Sequence, residues 1–100
     1  MTYTPDNWVV VTVQTDTETV NKVFAGWVGG FADNSRWKLS SGIVRVDEHE
    51  QYYDFHNHSG SVYRCYKDRR HISRYMHSVY DSFVNEAYQS NITVTINDNF

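Results

Sequence analysis

Between Lys67 and Ile72 the spacing of apolar residues in this 100-residue chain changes. Upstream, apolar residues alternate with polar ones, the period of a strand. Downstream, Ile72, Met76, Val79, Tyr80, Phe83 and Ala87 fall at i, i+4, i+7, i+8, i+11 and i+15, one face of an amphipathic helix. Ser73, Arg74, His77, Ser78, Asp81, Asn85 and Gln89 take the other face. The stretch ITVTI, Ile92 to Ile96, returns to β-branched alternation. Strands, one helix and a last strand within 100 residues define a single α+β domain over residues 1–100.

Trp8 to Gln14 puts Val9, Val11 and Val13 on one face and Trp8, Val10 and Thr12 on the other, so a central strand is expected. After the polar turn at 15–19, Thr19 to Val28 pairs with it, with Val23, Ala25 and Trp27 opposite Val20 and Phe24. Gly29-Gly30 ends that strand and FADNSR, residues 31–36, is a surface loop. Trp37 and Leu39 form a short extended piece leading to a strand at Ile43, Val44 and Val46, with a bulge at Gly42. Gln51 to His56 and Ser61 to Lys67 are two strands joined by the hairpin loop NHSG. Asp68 is the expected N-cap of a helix over 69–89, and Asn91 its end. The expected architecture is an antiparallel meander of about five strands, one long helix packed on the sheet, and a C-terminal strand.

One helix has too little apolar area for both faces of such a sheet. Either the sheet curls into a partial barrel or a partner covers the second face. Aromatic residues are 16% of the chain, three Trp, eight Tyr and five Phe, which leaves rings to spare for a contact surface. Trp8, Trp27 and Tyr52 are the candidate protein-binding residues, and a homodimer is one available partner.

The formal charge is −3, unevenly spread. Residues 64–74 carry Arg64, Lys67, Arg69, Arg70 and Arg74 against Asp68 alone. Interleaved with Tyr63, Tyr66 and Tyr75, these five form the candidate nucleic-acid-binding segment. His56 and His58, in FHNHSG, have the i, i+2 spacing of a metal clamp, and a metal-dependent enzyme built on them is the second alternative to a protein-interaction module, after nucleic-acid binding. But a zinc site needs three or four ligands, and a hairpin carrying two histidines is the favoured reading. No phosphate-binding glycine loop, G-x-S-x-G, C-x-x-C or H-E-x-x-H is present, so no cofactor and no catalytic residue is expected. The single Cys65 points to a reducing compartment, and neither a signal peptide nor a membrane span is expected.

The segments YTPDNWVVV, AGWVGG, SGIVRV, YYDFH and SGSVYRC together resemble a family of small uncharacterised proteins of marine tailed phages, notably the T4-like cyanophages of Prochlorococcus and Synechococcus. The resemblance covers about the first two-thirds of the chain. It implies a phage accessory protein in the cytoplasm of an infected bacterial host, acting on a host or phage protein, and it assigns no residue a role.

Overall fold

The computed structural model describes residues 1–29 and 35–100. Their order is β1 (Thr2–Tyr3), β2 (Asn7–Gln14), β3 (Thr19–Trp27), β4 (Arg36–Leu39), β5 (Ile43–Glu48), β6 (Tyr52–Asn57), β7 (Val62–Tyr66), a 3-10 turn at Lys67–Arg69, α1 (Arg74–Gln89) and β8 (Thr93–Asn97). The α+β class, the antiparallel pairing, the single helix and the final strand are as expected. The strands, however, form two sheets, β1-β7-β6-β5 and β4-β3-β2-β8. Most of the expected loop at 31–36 and the Gly30 end of the strand before it lie outside the described residues, while Arg36 belongs to β4.

Two-sided strands explain the split. In β2, Trp8 and Val10 face the first sheet and pack with Val23, Ala25, Phe55, Tyr63 and Cys65. Val9 and Val11 face the other way and pack with Phe24 and Met76. The result is three layers: the β5–β7 sheet, the β2–β3 sheet and the helix. The second face of the central sheet is therefore covered by the chain's own second sheet. Ser40 sits at the crossover between sheets, buried, donating its N–H to the Val23 carbonyl and accepting from the Val23 N–H through Oγ, both at 2.9 Å.

The helix begins later than its apolar spacing indicates. His71 donates its N–H to the Trp8 carbonyl at 3.1 Å, and the backbone bridges there alongside Trp8, so residue 70 is extended. Asp68 therefore lies in the 3-10 turn, and Ser73 is the N-cap, its Oγ accepting from the Met76 N–H at 3.2 Å. At the other end Asn91 takes φ +58°. The Ile92 N–H reaches the Ala87 carbonyl at 2.8 Å, and the Asn91 N–H reaches that of Tyr88 at 3.2 Å, a Schellman closure. The expected bulge near Gly42 falls between Ile43 and Arg45, which turns Val44 out to solvent.

Candidate functional site

The helix lies on the β2–β3 sheet, so among the described residues no layer lies over the outer face of the β5–β7 sheet. Period-two alternation decides what it shows. In β6, Tyr53 and Phe55 go into the core, and Tyr52, Asp54 and His56 point outward. The register sets Asp54 opposite Arg64, Tyr52 opposite Tyr66, His56 opposite Arg45, and Asp47 opposite Asp54 on its other side.

These outward side chains are held in place by one another. Arg64 grips Asp54 with a two-pronged contact, Nε to Oδ1 at 2.9 Å and Nη2 to Oδ2 at 3.0 Å. That bond raises the Arg64 pKa further above its ordinary value. The same guanidinium lies 4.4 Å over the Tyr52 ring. Tyr52 in turn stacks on His49 at 4.6 Å and leans on Tyr66 at 5.3 Å. Nearby, His56 Nε2 is 2.9 Å from Asp47 Oδ2, which also accepts from Arg45 at 3.1 Å. Burial pushes the Asp47 carboxyl up, but its hydrogen bonds to His56 and Arg45 outweigh this and leave it below its ordinary range. The patch balances two arginines, Arg45 and Arg64, against two aspartates, Asp47 and Asp54.

The sequence candidates scatter over this frame. Tyr52 is part of the face. Trp8 is not a contact residue: it is fully buried, its Nε1 donating to the Tyr66 carbonyl at 2.7 Å. A flat-ringed donor facing two sheets belongs in the core once the sheets stack. Trp27 lies away from this face, beside Tyr3 at 6.2 Å between ring centroids. Three of the five basic candidates are already paired with carboxylates. Arg64 is bound to Asp54, Lys67 to Glu48 at 2.7 Å and Arg70 to Asp98 at 3.0 Å. The Glu48 bond raises the Lys67 pKa. Arg69 and Arg74 are exposed, with no ion pair among the described residues.

His56 and His58 diverge. His56 bonds Asp47 on the outer face, whereas exposed His58 lines a cleft with Val20, Asn21 and Gly42. Among the described residues no three His, Cys, Asp or Glu side chains gather as a metal would need. Cys65 is buried, and that burial pushes its thiol well above the ordinary range, so it is no nucleophile. No helix among the described residues is long and apolar enough to cross a membrane.

The sequence reading gave Arg45 and Asp47 no role, took Tyr66 only as a ring of the basic segment, and did not join Asp54 to Arg64. Part of the signal was there. A hairpin centred on NHSG sets residue 54 across from residue 64, an acid facing a base, before any coordinates are known. No family model, no curated protein and no solved structure matches this chain.

Proposed function

We propose that this chain is a non-catalytic protein-interaction module that docks a protein partner through the outer face of the β5–β7 sheet. The observation that carries the reading is the Tyr52–Arg64–Tyr66 cluster, fixed by the two-pronged Asp54 contact on a face that no layer covers among the described residues. Tyrosine and arginine are enriched among the side chains that dominate protein contacts. Tyrosine gives large area at little cost in side-chain freedom, and arginine makes several directed hydrogen bonds with its planar fork, although ordering it costs more. Prior fixing reduces that cost further. The equal numbers of arginine and aspartate suit a protein surface of mixed charge. They do not suit a polyanion, because Asp47 and Asp54 already neutralise the two arginines it would need.

The resemblance set out above supports a phage accessory protein working in the cytoplasm of an infected bacterial host, with a host or phage protein as partner. The test uses that setting. Tagged wild type and a Tyr52→Ala/Tyr66→Ala variant are exposed to nuclease-treated lysate of infected cells. A protein held by the wild type and lost from the variant, with circular dichroism and melting unchanged, supports the reading. Identical capture by both, or loss of all capture after nuclease, overturns it. Light scattering that shows self-association abolished in the variant would replace the heterologous partner by a second copy.

A further inference from the structure

A second site lies where the two sheets part. β1 is only two residues long and β4 is the edge of the other sheet, so the layer between the sheets opens there. The opening is a cleft of about 440 Å³, lined by Tyr3, Thr4, Trp27, Arg36 and Lys38 among others. That is within the range of small-molecule sites, roughly 300 to 1,000 Å³.

Its two cations share with Lys22, Arg69 and Arg74 the lack of an ion pair among the described residues, but they are neighbours in one strand and line a cleft with Tyr3 and Trp27. Arg45, Arg64, Lys67 and Arg70 each have a carboxylate partner. Arg36 and Lys38 have none among the described residues. They rest instead on rings, the Arg36 guanidinium 5.7 Å from the Trp27 centroid and the Lys38 ammonium 5.2 Å from that of Tyr3. Two residues apart in one strand, they share a face, about 7 Å apart along the chain. Pairing sets Arg36 beside Trp27 and Lys38 beside Ala25. In a chain of charge −3, two cations on one strand face with no counter-charge among the described residues are an anion site in waiting. A cation–π contact at an exposed position is weaker than a charge-assisted hydrogen bond to phosphate, so both side chains can leave the rings for an entering anion. The uncovered Tyr3 and Trp27 surfaces then face the remainder of the ligand.

We propose that this cleft binds a nucleoside phosphate, the base against Tyr3 and Trp27 and the phosphate held by Arg36 and Lys38. The proposal is independent of the docking face. The same chemistry is offered by a free nucleotide or by one residue of a single strand, and the experiment separates them.

The three indole N–H signals of ¹⁵N-labelled protein report directly. Trp27 Nε1 donates to the Thr4 carbonyl at 3.2 Å at the cleft, while Trp8 is sealed in the core. Titration with adenosine monophosphate is expected to move the Trp27 signal saturably and leave that of Trp8 in place. An Arg36→Ala/Lys38→Ala variant, whose unmoved Trp8 signal certifies the fold, is expected to bind about ten-fold or more weakly. Tighter binding of an eight-nucleotide single strand than of the mononucleotide would identify the strand as the source; equal or weaker binding would identify the free nucleotide. A Trp27 signal that does not move overturns the proposal. So does inorganic phosphate binding as tightly as the nucleotide, which removes the role of the rings. So does a variant that aggregates while wild type shows no nucleotide binding, which makes the two cations a guard against edge pairing.

Discussion

Cys65 shows how one buried atom ties stability to pH. Its thiol is enclosed by the core between the sheets, with the Asp54 charge nearby, and both raise its pKa. Burial also raises the phenol of Tyr63 beside it in β7. A group whose folded pKa lies above its unfolded value contributes stability that is whole below the unfolded pKa. That contribution drains away as pH rises towards the folded value. For an unfolded cysteine the loss begins near pH ~8.5, and for tyrosine near ~10. The urea midpoint of the wild type is therefore expected to fall progressively above pH ~8.5. Cys65→Ala should be less stable at neutral pH, for want of the sulfur's packing, yet show a flatter decline between the two values. An equal slope in variant and wild type would show that the thiol is not the group responsible. The native thiol should also resist alkylating reagents until the chain unfolds.

At the scale of elements, the contact between helix and sheet turns on Gly26 and Met76. A Cβ placed on Gly26 would lie 2.5 Å from Met76 Sδ and 2.7 Å from Cγ, closer than carbon and sulfur can approach. Met76 is fully buried among Val9, Val11 and Phe24, so it cannot simply swing away. Gly26→Ala is expected to cost about 1–3 kcal/mol by overpacking. Met76→Ala is expected to cost about 2–5 kcal/mol by leaving a cavity. The double variant should then lose less than the two separately, because each relieves the other's fault. Urea melts of the four proteins give the coupling, and strict additivity would mean that the helix does not press on β3 at this point.

The elements differ in how far they could be read from sequence. The two faces of β2, β3, β6 and β7 followed from alternation, and the hairpin at NHSG, with Gly60 at φ +92°, followed from turn chemistry. The helix start did not. What sets it is a backbone bond from His71 to Trp8, across more than sixty residues, to which no local preference points. The same holds for β1. Two residues cannot announce a strand, and Thr2 and Tyr3 are extended only because β7 offers a parallel edge at Val62 and Tyr63. Of the candidate site, the Asp54–Arg64 pair was implicit in the hairpin register. The cleft was not, because Tyr3, Trp27 and Arg36 meet only after the sheet divides in two.

For the whole molecule, the division into two sheets decides where stability resides. A single sheet with one helix would have left an apolar face open. Here Trp8 closes it, packing against Tyr53 and Phe55 across the layer at 6.0 and 5.6 Å between centroids. Phe100 packs edge-on to the same two rings, at 5.6 and 5.4 Å. Trp8 also donates to the Tyr66 carbonyl of the opposite sheet and accepts from His71 ahead of the helix. One residue thus joins the two sheets and holds the segment that leads into the helix, and the layers should unfold together. Trp8→Phe keeps a ring in the gap but leaves the Tyr66 carbonyl without its donor, a loss of about 1–3 kcal/mol. Trp8→Ala removes the ring as well and should cost about 3–5 kcal/mol, a large share of the ~5–15 kcal/mol typical of such a domain. In urea titrations followed by amide signals, β6, β2 and α1 are expected to disappear at one common midpoint in the wild type. In Trp8→Phe that midpoint should fall for all three together. A variant in which the β5–β7 sheet melted first, with the helix and the β2–β3 sheet intact, would show that the two sheets are stable independently and that Trp8 is not what binds them.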